Sequence, residues 1–372
     1  MLLKNAAVFI GGKYKRKDLW IEDGKIKFIM DEIMADGLDL SGKIIIPGLT
    51  DIHTHGAMGK DSSDGEVSSI ETIAKYNLEH GITQFCPTTM TFNEEILNGI
   101  FKSIGEYDNK YSEVVGIHME GPFISKEKIG AQNPKYLMEP DVGMVERLDD
   151  KSGGLLKIIS IAPEIKGAME FAKKLGDKYV LSVAHTNATY DEAVDAYKNG
   201  FSHLTHTFNA MPGIHHRKPG VIPAALENGS TAELITDGVH IHDAIIRLIF
   251  KLFGNTRMIL VSDSNEATGL SDGEYMLGGQ KIVKVKNKAT IKGTDTIAGS
   301  ATNLFDCMKH AIKAGIKEED AIRAATINPA KLLGIDRRVG TIREGNIANL
   351  LVLDDELNIE RIFLRGEEIC KK

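Results

Sequence analysis

Residues 179–210 read YVLSVAHTNATYDEAVDAYKNGFSHLTHTFNA. The stretch opens on an apolar run that closes at His185, continues through YDEAVDAYKNG with helical periodicity and a glycine stop, and ends in a second run, FSHLTHTFNA. Strand, helix, strand in that order is one parallel β–α–β unit. The pattern repeats outward from it. ITQFCPT (82–88), YSEVVGIHMEG (111–121), LLKIISIAPE (155–164), STAELITDGV (230–239) and TRMILVSDS (256–264) are further short apolar runs ending in polar or glycine-containing loops. Such runs are the signature of strands buried on both faces. HDAIIRLIFKLFG (242–254) is another helical segment before a glycine. Repetition over about 300 residues predicts a closed, TIM-like (β/α)8 barrel, whose chemistry sits at the C-terminal ends of its strands.

The chain ends differ from this pattern. LLKNAAVFI, then KDLWIEDGKIKFIM with an Asp-Gly turn at Asp23 and Gly24, then SGKIIIPG, fill residues 1–49 with short strands. IANLLVLD and IERIFLRGEEI follow near the other end. Paired together, they predict a small β-sandwich built from residues 1–49 and 343–372, with the barrel over 50–342. Within the barrel, GQKIVKVKNKATIKGTDTIA (279–298) alternates with Asn, Gly and Asp turns and predicts an inserted antiparallel segment. EEDAIRAATINPAKLLG (318–334) predicts a helix that ends near Asn328-Pro329 and a short helical turn after it.

The composition narrows the partners. A hydrophobic share of 42% supports a sizeable core and excludes global disorder. The formal charge of −7 comes with no basic block, which argues against a nucleic-acid partner. Cys86, Cys307 and Cys370 are far apart and form no CxxC, as expected of reduced thiols. The N-terminal apolar stretch has no basic region ahead of it, and no run approaches the ~20 residues of a membrane span. A cytoplasmic protein without a membrane partner is the expectation.

The polar residues carry the functional signal. His53 and His55 follow IIIPGLTDI, Glu120 follows VVGIHM, His185 follows VLSVA, His206 lies in LTHTF, and Asp263 follows MILVS. All fall near predicted strand ends, so all can face one mouth. Residues two apart in a strand point to one side, so His53 and His55 can reach one ion together. His185 and His206 can hold a second, with Glu120 between the two and Asp263 both ligating and moving protons. A single histidine after a buried strand is more often a hydrogen-bonded structural residue; the whole set is much harder to produce by packing alone. Nitrogen and carboxylate donors without cysteine suit zinc, iron(II), manganese or cobalt. His80 and His310 lie in helical segments and are expected to be structural. His118, two residues before Glu120, can share its face and support a ligand.

GIHMEGPFIS, HTFNAMPGIHHRKPG, ITDGVHIH and LVSDSNEATG, in that order after PGLTDIHTHG, resemble the N-acetylglucosamine-6-phosphate deacetylases of the amidohydrolase superfamily along nearly the whole chain. The resemblance implies a metal-centred barrel with a terminal β-sandwich, usually a homodimer, that deacetylates a phosphorylated N-acetyl amino sugar. It assigns His53, His55, Glu120 and Asp263 to one divalent ion and Glu120, His185 and His206 to another, with iron(II) or zinc favoured. It assigns sugar-phosphate contacts to Asn209, the backbone at Ala210, Arg217 and His240, and places His215, His216 and Lys218 in a loop that can touch a second subunit. Gln132 stands where some relatives carry a sugar-facing histidine, and Asn349 where aspartate is more usual. The alternatives are the galactosamine epimer, another amide, or a noncatalytic sugar-phosphate-binding barrel.

Overall fold

The computed structural model describes residues 1–371. Its centre is a ring of eight parallel strands: β1 (Leu49–Thr54), β2 (Ile82–Thr89), β3 (Ile117–Glu120), β4 (Leu156–Ile161), β5 (Val180–Val183), β6 (Phe201–Leu204), β7 (Thr231–Ile235) and β8 (Met258–Val261). Each pairs in parallel with the next. The ring is closed between β1 and the end of β8 by a Thr54–Ser264 bridge, with Asp263 N–H donating to His53 O at 2.9 Å. Every residue of β1, β2 and β8 is buried; β8 (MILV) is apolar throughout, whereas β1 and β2 also bury polar side chains such as Thr50, Asp51, Gln84 and Thr88. Ile52, Cys86, Ile158, Ile235, Ile259 and Val261 form one packed cluster among the strands.

Helices cover the outside. Tyr190–Lys198 starts in a capping box, in which Thr189 accepts from Glu192 N–H and the Glu192 carboxylate accepts from Thr189 N–H. Asp243–Phe253 buries Ile246, Ile249, Phe250 and Phe253, the spacing of one helical face, each worth about 1.5–3 kcal/mol of burial. Among the described residues, no helix is long and apolar enough to cross a membrane.

Strands from both chain ends form one additional sheet. Leu350–Leu353 pairs antiparallel with Ile44–Pro47, which lies beside Leu2–Ile10. The hairpin from Lys13–Glu22 to Lys25–Met30 turns at Asp23 and Gly24, with φ of 50° and 72°, as a tight two-residue turn requires. The expected sandwich is a single sheet that curls back on itself. Ile26 N–H donates to Asn346 O and Ala348 N–H to Gly24 O, both at 2.9 Å, enclosing Leu3, Val8, Leu19, Ile45, Val352 and Phe363. Asn349 serves this sheet, its Oδ1 accepting from Arg365 N–H at 2.7 Å.

Two sequence expectations are corrected. The inserted antiparallel sheet begins at Gly273, not residue 279: Gly273–Leu277 pairs with Gln280–Val285 through a turn at Gly278 and Gly279, both at positive φ. The helix expected to end near Asn328-Pro329 stops at Ala325. Thr326 breaks it at φ −131° and ψ −81°, and Pro329 lies in the first turn of the next helix, Ile327–Leu332. A proline there costs nothing, because first-turn N–H groups have no partner in the helix. Cys86 and Cys307 are buried free thiols, and the side chain of Cys370 lies outside the described residues.

Candidate metal centre

The ends of the barrel strands bring six side chains to one mouth. His53 is within β1 and His55 one residue beyond it, Glu120 ends β3, and His185, His206 and Asp263 each lie two residues past a strand. These last three have positive φ, 41°, 27° and 49°. A side chain held there costs about 1–3 kcal/mol, and such strain concentrates where a side chain must be aimed. Here it turns each strand end inward as the chain leaves the barrel.

Glu120 is the hub. Its Oε1 lies 2.9 Å from His206 Nε2, 3.2 Å from His185 Nε2 and 3.6 Å from His53 Nε2, and its Oε2 is 3.4 Å from His55 Nε2. Asp263 Oδ1 is 3.3 Å from His55 Nε2 and 3.5 Å from His53 Nε2. Two triads, His53–His55–Glu120 and Glu120–His185–His206, thus share one carboxylate.

This donor set fits divalent ions. Ligand atoms about 2.0–2.1 Å from an ion in tetrahedral geometry lie roughly 3.3 Å from one another, the spacing seen here. The rings are also turned correctly. His53 Nδ1 donates to Glu233, His55 Nδ1 to Thr88 O and His185 Nδ1 to Lys128 O, so each Nε2 lone pair faces the centre. Nε2 atoms then confront each other, His53 with His55 at 3.4 Å and His185 with His206 at 3.1 Å. For His53 and His55, whose Nδ1 atoms carry the protons, lone pairs at that distance repel unless a positive charge, a proton or a metal ion, stands between them.

The electrostatics say the same. Burial disfavours a charged His53, but Glu233, Asp263 and Glu120 outweigh it and raise its pKa to about 9; His55 is raised likewise by Asp263 and Glu120. Burial raises the pKa of Glu120, yet the surrounding histidines hold it well below the carboxylate range; burial also raises that of Asp263, but His53 and His55 outweigh it and lower it. The pocket attracts positive charge.

A cavity of about 340 Å³ opens over this centre, lined by His55, Glu120, Gln132, His185, His206, Asn209, Ala210, His240 and Asp263, with Met90 and Leu277 as an apolar wall and Asp295 and Thr296 of the inserted sheet. Gln132 is mostly committed: its Nε2 donates to Glu120 Oε2 at 2.5 Å and its Oε1 accepts from Thr91 N–H at 2.8 Å. Asn209 folds back, donating its Nδ2 to His206 O at 3.1 Å. His240 Nδ1 meets Asp237 Oδ2 at 2.7 Å; burial opposes its charge, but Asp237 prevails and its pKa is raised.

Other candidates lie elsewhere. His215, His216, Arg217 and Lys218 are exposed and do not line the cavity, and Arg217 Nη1 is 2.7 Å from His216 Nε2. His118 faces away from the cavity, with Nδ1 donating to Ile52 O at 2.9 Å and Nε2 2.8 Å from Ser160 Oγ. His80 donates to Tyr76 O and His310 contacts Asp243. Sequence reading missed Glu233 and His203, buried partners 3.1 Å apart behind the centre. The available signal was a carboxylate inside the apolar run AELI.

An eight-stranded barrel with histidines and carboxylates converging at its C-terminal mouth is the architecture of a barrel hydrolase, and the chain belongs to the amidohydrolase family, whose model matches residues 44–369. Within that family it groups with the N-acetylglucosamine-6-phosphate deacetylases. It is 35% identical to the deacetylase of that name from Danio rerio, covering 99% of this chain and 96% of the relative. It is 32% identical to the one from Bacillus subtilis (strain 168), over 98% and 96%. A mutant N-acetyl-D-glucosamine-6-phosphate deacetylase from Mycobacterium smegmatis, solved with N-acetyl-D-glucosamine-6-phosphate, superposes with a TM-score of 0.94 at 32% identity over 99% of this chain and 98% of that one.

Proposed function

We propose that this chain hydrolyses N-acetyl-D-glucosamine 6-phosphate to D-glucosamine 6-phosphate and acetate, as a cytoplasmic homodimer carrying two divalent ions per subunit, iron(II) or zinc. One observation carries the reading: a single buried carboxylate, Glu120, is shared by two histidine pairs on the floor of a cavity of about 340 Å³. His53, His55, Glu120 and Asp263 would hold one ion and Glu120, His185 and His206 the other. Ions so held would supply an acidified water and Lewis-acid polarisation of an amide carbonyl.

The chain's own residues supply the rest. Asp263, ionised because His53 and His55 lower its pKa, takes the proton of the attacking water. As the water oxygen bonds to the acetyl carbon and the carbon–nitrogen bond breaks, Asp263 returns that proton to the departing nitrogen. His240, held toward its protonated form, and Asn209 orient the sugar phosphate; Gln132 offers the sugar its remaining N–H.

No lysine or arginine lines the cavity among the described residues, so beyond His240 the phosphate draws any further cation from outside its wall. We assign that role to Arg217, whose planar guanidinium can grip phosphate through two hydrogen bonds when its exposed loop, or that of a second copy, closes on the cavity. Arg217→Ala should raise KM for the phosphorylated sugar by about tenfold to a hundredfold, the worth of a charged hydrogen bond, with little change in kcat. Unchanged KM and kcat in steady-state assays would show that the phosphate binds elsewhere.

The reading itself is tested by acetate release from N-acetylglucosamine 6-phosphate and from N-acetylglucosamine, using chelated protein and protein reloaded with iron(II) or zinc. Metal-dependent turnover that strongly prefers the phosphate is expected. Equal turnover would discard the phosphate pocket, and none with either sugar at full metal loading would discard the substrate.

A further inference from the structure

Behind the metal centre lies a carboxylate that does not line the cavity. Glu233 sits within β7 and is fully buried. Its Oε2 accepts from His53 Nδ1 at 2.9 Å and from His206 backbone N–H at 3.0 Å, while Oε1 lies 3.1 Å from His203 Nε2. His53 belongs to one ligand triad and His206 to the other, so this one side chain touches both.

Glu233, His53 and His118 are themselves close enough to suggest a third ion site. Hydrogen bonding excludes it. His118 Nδ1 is 2.9 Å from the carbonyl oxygen of Ile52, which can only accept. That nitrogen therefore carries a proton and has no lone pair for a metal, and His53 Nδ1 is spent in the same way on Glu233.

Building on the two-ion reading above, we infer that Glu233 is a positioning residue that sets the first ligand triad. It holds His53 as the Nδ1–H tautomer, so that the Nε2 lone pair points at Glu120 and Asp263, and its charge makes that nitrogen a stronger donor. It also ties down the His206 backbone, which has a φ of 27°. The dependence is unequal. His53 is controlled through its ring, whereas His206 is touched only through its backbone, so the ion at His53 and His55 relies on Glu233 more.

The test is a metal titration of metal-free parent and Glu233→Gln protein, counting bound ions per subunit. Glutamine has the same shape, and its amide oxygen in the Oε2 position still accepts from His53 and His206, but the charge is gone. One of the two ions should loosen by about 10- to 100-fold and the other change little, with the metal-free Tm close to that of the parent. A role confined to packing would lower the metal-free Tm and leave both affinities unchanged, and that result overturns the inference. If Glu233→Gln does not fold, the metal-loaded parent decides. Ring nitrogen NMR, with His53→Gln assigning the signal, should find the His53 proton on Nδ1; a proton on Nε2 overturns the inference. A parent that binds no ion overturns the functional reading, and this inference with it.

Discussion

Asp263→Asn is expected to lower kcat by about 10²- to 10⁴-fold, the usual contribution of a general acid–base group, while leaving part of the metal bound. The substituted amide would keep the size of the side chain and an oxygen to face His53 and His55, so the centre is weakened but not dismantled. What it loses is the ability to take a proton. The amide bond of the substrate resists hydrolysis because its nitrogen leaves poorly unless protonated, and Asp263 is the proposed source of that proton. The group is ionised when the water must lose its proton, because His53 and His55 outweigh the burial that would raise its pKa, and once protonated it is a strong acid facing the nitrogen. Steady-state kcat and metal content measured on the same sample separate the two effects. A variant with bound metal and near-normal kcat would remove Asp263 from proton transfer.

What the sequence revealed and what it hid have physical causes. Barrel strands were legible through the short apolar stretches they carry, complete in the MILV of β8 and interrupted by polar residues in others such as the LTDIHT of β1, and through the helical segments between them. His53, His55, Glu120, His185, His206 and Asp263 were legible as candidates because each interrupts such a run at or just beyond its end. Glu233 and His203 were hidden because they sit inside strands, where polarity carries no positional rule and meaning comes only from the strand alongside. The helix break at Thr326 was hidden because a proline can follow a helix or occupy the first turn of the next, and Pro329 does the second. The exposure of Arg217 was equally hidden, since the path of a loop between Pro212 and Gly220 depends on what it packs against. The start of the inserted sheet was misplaced because Gly278 and Gly279 mark a turn equally well before a sheet or inside one.

Glu120→Gln should have the largest effect of any single change, reducing kcat by about 10³-fold or more, since it removes the several kcal/mol that bound ions contribute to the reaction. The argument can be carried to which ion leaves. The glutamine amide must choose which position its oxygen takes, and Gln132 makes that choice by donating its Nε2 to the site of Oε2 at 2.5 Å. The oxygen therefore settles beside Gln132 and His55, and the NH2 group falls at the site of Oε1, 2.9 Å from His206 Nε2 and 3.2 Å from His185 Nε2. An amide NH2 donates hydrogen bonds and cannot ligate, so it satisfies the two histidine lone pairs in place of an ion. The His185–His206 ion should be lost outright, while His53, His55, Asp263 and the amide oxygen retain a weakened site for the other. Metal analysis of the purified variant should find at most one ion per subunit. Two ions held with parental affinity would mean that Glu120 does not join the triads, and the shared-carboxylate centre would have to be abandoned.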